Sequence, residues 1–160
     1  MDTEKARSYL KTFLEVSEIQ ISIKESAIKR RNSWNRILDR SKVGAVNAKI
    51  MELIEEKHKI QGQLDCVRLE MLDMILDEPS LVSDKLLAKK GYSSVTEFVR
   101  HEKEKIELRG LYKKYPCSIE TILGIAVEDD SDEKVTKNDV KAAVDAKNVK
   151  LMTKSLNFSL

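Results

Sequence analysis

The chain has 160 residues and a mass of 18.3 kDa, with 41% hydrophobic and 35% charged residues, 5% aromatics, five glycines and two prolines. This balance is too apolar for a disordered chain and too poor in turn-forming residues for a β-sandwich or barrel, which leaves long helices. The net charge of +2 conceals bands of alternating sign: residues 24–42 sum to +5, residues 43–80 to −4 and residues 81–115 to +4.

The first helix is expected to start at Asp2 or Thr3, either of which can cap the free amides of its first turn. An alternating four-three spacing then runs through Tyr9, Phe13, Val16, Gln20, Ile23, Ala27, Arg30, Trp34 and Ile37, mostly apolar. The same spacing continues in a second helix as Val46, Ile50, Leu53, Lys57, Ile60, Leu64, Val67, Met71 and Met74. Sustained heptad stripes of this kind are coiled-coil seams. Between the two helices, Asp39–Gly44 forms a short polar break, so the helices must turn back on each other as an antiparallel hairpin. Two helices alone leave part of each stripe wet. A third helix or a second copy of the chain is expected to cover it, and a homodimer is the simplest arrangement.

Pro79 ends the second helix. A third helix, about Leu81 to Lys90, stops at Gly91, and Ser94-Val95-Thr96-Glu97 is a capping box for a fourth that runs to about Tyr115. Ser118 can cap a brief helix carrying Ile119, Ile122, Leu123 and Ala126. Glu128–Glu133 is an acidic linker, followed by a last helix from about Lys137 to Lys147 and a tail to Leu160. The expected fold is therefore all-α: a long antiparallel helical hairpin over residues 1–78, a small helical domain over 79–127, and linker, short helix and tail over 128–160.

Catalytic signals are sparse. His58 and His101 have no metal-ligand spacing with Cys66 and Cys117, and neither a glycine-rich phosphate loop nor a nucleophile elbow occurs. The chain is expected to be non-enzymatic, with no cofactor and no metal. The two cysteines read as isolated thiols suited to a reducing compartment. No apolar run reaches the roughly 18 residues of a membrane span, and residues 1–7 lack the apolar core of a secretory signal. A cytoplasmic location, with no membrane partner, is the expectation.

Two segments could grip nucleic acid. In the first, a helix, a Gly91–Ser94 turn and a capped helix follow one another as in a helix-turn-helix. Its second helix would present Ser93, Ser94, Thr96, Arg100, Lys103 and Lys105, with Arg100 reading a base edge and the lysines holding phosphate. The same order of elements also makes an ordinary helical corner. The second segment is the basic band Lys29, Arg30, Arg31, Trp34 and Arg36, in which cations interleave with a ring able to stack on a base. Here Trp34 also fits a seam position, where it would be core near the hairpin tip.

Ala6–Leu10, Ile23-Lys24, Asp39-Arg40, Lys42-Val43, Ala48–Glu56 and Leu69-Glu70 together resemble the sigma-factor-like late-gene transcription regulators of phages and prophages in Gram-positive bacteria. The similarity covers about residues 6–76, with a looser echo at Leu87–Ser93. It implies a helical hairpin followed by a C-terminal helix-turn-helix, in a phage-encoded protein acting in the host cytoplasm. The chain departs from that pattern in lacking the extra aromatic and basic helix before the turn, and in continuing well past the recognition helix. The resulting expectation is a phage or mobile-element regulator that binds nucleic acid and dimerises through its hairpin. A coiled-coil adaptor or inhibitor that docks on a protein partner is the alternative, followed by a structural component of a larger assembly.

Overall fold

The computed structural model describes residues 1–126 and 134–154, and every regular element among them is helical. Helix α1 (Thr3–Trp34) is capped by Asp2, whose carboxylate accepts from the Glu4 N–H at 3.1 Å. After Asn35–Asp39 the chain returns as α2 (Arg40–Asp77), so the break is tighter than expected and Arg40–Gly44 is already helical. At about 1.5 Å per residue, α1 is about 48 Å long. Ion pairs Lys24–Glu56 and Glu25–Lys57 join the helices nearer the turn, and Glu18, earlier in α1, pairs with Arg68, later in α2, which is the signature of an antiparallel pair.

A single 3-10 turn (Pro79–Leu81) leads to α3 (Asp84–Lys90), which starts later than expected because Ser83 caps it by accepting from the Leu86 N–H. Gly91 ends α3 in the left-handed region at φ +79°, and Ser94 opens α4 (Val95–Arg109). The helix expected to reach Tyr115 is interrupted by Gly110, also left-handed at φ +66°, so that α5 (Leu111–Lys114) is a separate turn. Helix α6 (Ile119–Ala126) follows, and the acidic linker Glu128–Glu133 lies outside the described residues. The last expected helix is in fact two, α7 (Lys137–Ala143) and α8 (Ala146–Met152). Asp145 breaks the run because its carboxylate caps α8, accepting from the Asn148 N–H at 2.8 Å.

The α2 stripe is as the spacing predicts: Ile50, Leu53, Lys57, Leu64, Val67 and Met71 are buried. The α1 stripe is largely one residue out of phase. Leu10, Leu14, Ser17 and Ile21 are buried with Lys24, Ile28 and Arg31 partly so; of the expected seam Ala27 is buried and Tyr9 and Phe13 pack on the core, while Val16, Ile23, Trp34 and Ile37 are exposed. Charge explains the difference. Asp65 is wholly buried and accepts two hydrogen bonds of 2.9 Å from the Arg109 guanidinium, with Gln61 and Arg68 beside it. Arg68 reaches across to Glu18 at 3.5 Å, and Lys57 to Glu25 at 3.0 Å. Burying another Val or Ile is worth roughly 1.5–3 kcal/mol, whereas stranding one partner of a buried ion pair costs about 3–5 kcal/mol. The observed phase pairs Lys57 with Glu25, brings Glu18 within ion-pair distance of Arg68, and still buries Leu10, Leu14 and Ile21, which outweighs the apolar residues it leaves exposed.

The wet flanks of the hairpin are covered by the chain's own helices. Helices α6, α7 and α8 pack on α1, and α4 and α5 pack on α2. The main core, with Leu10, Leu14, Ile21, Leu64, Met71, Phe98, Ile119 and Leu123 at its centre, gathers at the end where α1 starts. The tip half has no such cover and leaves Ile19, Ile23, Ile37 and Met51 more than half exposed.

Gly62 is where α5 comes closest to α2: a Cβ there would lie 2.6 Å from the Leu111 carbonyl oxygen and 2.9 Å from Tyr115 Cβ. Gly44, also helical, has open space around its Cβ direction. Gly62→Ala should therefore destabilise the fold by about 1–3 kcal/mol through overpacking, while Gly44→Ala should stabilise it by about 0.5–1 kcal/mol through helix propensity. Urea denaturation of the two variants beside wild type measures both, and a stabilised Gly62→Ala would contradict the α2–α5 contact.

Candidate functional site

Three basic surfaces stand on this frame, two of them expected. On α4, Ser94 is held as the helix cap: its hydroxyl accepts from the Glu97 N–H at 3.2 Å. The Glu97 carboxylate closes the box on Ser93 rather than Ser94, accepting from the Ser93 N–H at 3.1 Å and from its hydroxyl at 2.5 Å. Those bonds hold the Glu97 carboxyl below its ordinary range. Lys103 pairs with Asp73 of α2 at 2.6 Å and Lys105 with Glu102 at 3.3 Å. Thr96 and Arg100 remain on the outer face, where Glu104 and Glu107 are exposed as well. Phe98, Val99 and Ile106 bury the inner face, and α4 packs chiefly on α2 with α3 contributing little. The structure thus spreads the six expected contact residues between a cap, two ion pairs and a mixed-charge face.

The hairpin tip is different. Lys29, Arg30, Trp34 and Arg36 are exposed and Arg31 is half-buried, and Arg40 and Lys42 at the start of α2 are exposed too. The Arg31 guanidinium sits 5.4 Å from the centre of the Trp34 ring while donating to the Ala27 carbonyl. Among the described residues, Lys29 alone of these cations touches a carboxylate, Glu25 at 4.0 Å. Trp34 is not core: it is 44% exposed, because the phase of α1 turns it away from α2. An Asn35–Asn47 side-chain hydrogen bond of 2.7 Å braces the turn beneath it. A stiff, two-helix projection carrying one tryptophan among six cations is able to stack on a base and hold phosphate at once.

The third surface was not found in the sequence. A cavity of about 580 Å³ opens between α1, α3 and α8, and six lysines line it: Lys11, Lys89, Lys90, Lys147, Lys150 and Lys154. Lys147 and Lys150 share one face of α8 and Lys154 lies just beyond its end, and nothing in the sequence shows that α8 returns to α1. The contact is made by Asn148, whose amide donates to the Arg7 carbonyl at 3.1 Å, and by Lys90, which donates to the Thr153 carbonyl at 2.6 Å.

The remaining reactive groups are quiet. Cys66 and Cys117 are both free thiols; the Cys66 thiol donates to the Tyr112 carbonyl at 3.1 Å, and burial pushes both thiols above their ordinary value. Burial and Lys57 push His58 below its ordinary value. The His101 ring is tied to the Tyr92 hydroxyl. Among the described residues no group of three or more His, Cys, Asp or Glu could hold a metal ion, and no helix is long and apolar enough to cross a membrane.

No protein-family model, curated protein or solved structure matches the chain.

If Ser94 is a cap and not a groove-reading residue, Ser94→Ala should cost about 1 kcal/mol of stability and leave nucleic-acid affinity unchanged. Thermal melts and a binding titration on the same variant separate the two roles. Lost affinity with an unchanged melt would return Ser94 to the contact surface.

Proposed function

We propose that the chain is a non-enzymatic nucleic-acid-binding protein whose principal contact is the basic hairpin tip, with the outer face of α4 around Thr96 and Arg100 as a secondary one. The observation that carries this reading is the exposed Trp34 ring, set among Lys29, Arg30, Arg31 and Arg36 at the free end of the hairpin. The ring is partly covered, with the Arg31 guanidinium beside it, and 44% of the residue faces water at the tip, more than core packing requires. With cations around it, stacking on an unpaired base while the arginines hold the flanking phosphates is the use that fits its chemistry. The exposed row Val16, Ile19 and Ile23 on one face of α1 is where a second copy would pack, giving a homodimer with two tips. The resemblance to phage late-gene regulators agrees with a regulatory role in the cytoplasm.

The same exposed tip also favours a second reading, an adaptor that docks on an acidic protein surface with Trp34 as its anchor. Salt alone does not separate the two, but nucleic acid does. Fluorescence anisotropy with labelled single-stranded and duplex oligonucleotides should show binding that weakens steeply as salt rises. The Arg30→Ala/Arg36→Ala variant should lower the slope of log affinity against log salt by about 1.5, and Trp34→Ala should cost about 1–3 kcal/mol with the single strand. Arg100→Ala/Lys103→Ala should have the smaller effect. Absence of binding to either oligonucleotide at low salt would reject the nucleic-acid reading and leave the adaptor.

A further inference from the structure

The lysine-lined cavity lies about 35 Å from the tip, taking 1.5 Å per residue along α1 from Lys11 to Trp34. It is a separate site by position and by make-up. Each wall is one face of a helix: Lys11 and Glu15 on α1, Leu86, Lys89 and Lys90 on α3, and Lys147, Lys150, Leu151 and Lys154 at and just beyond α8. None of the six lysines lies within ion-pair distance of a carboxylate among the described residues. Glu15 in the wall and the buried Glu18, which feels Lys90 and Lys154, are the negative groups that face them. Six ammonium groups against two carboxylates leave the cavity strongly positive.

Lys147 and Lys150 are like charges at three-residue spacing on α8, which weakens a helix, and drawing them toward Lys89 and Lys90 of α3 and Lys11 of α1 adds repulsion between the walls. Here, unlike at the convex hairpin tip, the lysines surround a concave space of the size that small ligands occupy, roughly 300–1,000 Å³. Surface lysines scattered for solubility would avoid one another. These converge, and they do so beside apolar carbon: Leu86 is buried in the α3 wall and Leu151 half-buried in the α8 wall.

We infer that this cavity binds a small nucleoside polyphosphate, with the phosphate chain among the lysines and the ring system against Leu86 and Leu151. The ligand would neutralise the repulsion and so reinforce the Lys90–Thr153 hydrogen bond that already joins α3 to the end of α8. A single phosphate would leave most of the lysines unmatched, so at least two phosphate groups are required. Lysine acts as a point charge that tolerates varied phosphate geometry, so the lysines set affinity and the apolar wall sets preference for a ring.

Isothermal titration calorimetry and thermal melts of the full chain with ATP, inorganic tripolyphosphate and adenosine test this. Wild type should bind ATP and tripolyphosphate saturably at one per chain, ATP the more tightly, with adenosine silent, and the melting temperature should rise with ligand concentration. Lys89→Ala/Lys150→Ala, which removes one exposed ammonium from each of two walls, should weaken both anions by about tenfold or more. Without ligand that variant should melt at or above wild type, which distinguishes lost binding from lost folding. Arg30→Ala/Arg36→Ala at the tip should bind ATP like wild type. Non-saturating heats, equal affinity in the lysine variant, or loss of ATP binding in the tip variant would each overturn the site. Tripolyphosphate binding as tightly as ATP would overturn the ring contact. Oligonucleotide binding that is lost in the lysine variant, with no competition from either small anion, would make the cavity a nucleic-acid wall instead.

Discussion

The buried carboxylate of Asp65 is the group on which the arrangement of the helices depends. It sits in the middle of α2 with no exposure, and the Arg109 guanidinium meets it with two hydrogen bonds. That contact fixes the end of α4 against α2. Arg68, one turn on, extends the same charged cluster to Glu18 on α1 and donates to the Lys154 carbonyl beyond α8. Burial pushes both Glu18 and Arg68 toward neutrality, with the charge of the partner opposing it in each case. Asp65 is the well-satisfied centre of this cluster, while Glu18 Oε1 and Arg68 Nε are buried without a hydrogen-bond partner and are held by charge attraction. Removing any one partner would strand the others in the interior, which ties the four elements to one register.

Much of this frame was legible in the sequence. The hairpin, the α2 seam, the left-handed stop at Gly91 and the cap at Ser94 follow from spacing and turn chemistry, which are local. The phase of α1 was not legible, because counting carbon gives Val16, Ile23 and Trp34 more weight than Ser17, Lys24 and Arg31. The partners that reverse the count, Glu56, Lys57 and Arg68, lie some 30 to 50 residues away. Gly110 reads as an ordinary residue near the end of a helix until Leu111 is seen packed on Gly62. Asp145 looks like one more charge in a basic helix unless it is read as a cap.

The candidate sites divide in the same way. Basic residues clustered within a few positions, as at the tip, are visible in one dimension, and only the exposure of Trp34 had to come from the fold. The lysine cavity draws on residues 11, 89, 90, 147, 150 and 154, which no local window contains. Conversely, the α4 set looked basic in sequence and is largely committed to structure: Ser93 and Ser94 to the cap, Lys103 to Asp73, Lys105 to Glu102. The molecule emerges with a well-packed end, where α6, α7 and α8 join the hairpin, and a bare projecting end, where the charge and the single tryptophan are.

The central claim is that buried charge, not apolar count, sets the rotation of α1 and so turns Trp34 outward. Trp34 is the one tryptophan of the chain, so its fluorescence reports that rotation without labelling. Emission spectra with acrylamide quenching on the native protein are the direct measurement. A red-shifted emission that acrylamide quenches readily, little changed by denaturation, is the predicted result. A blue-shifted emission shielded from acrylamide until the protein unfolds would place Trp34 in the seam and contradict the account.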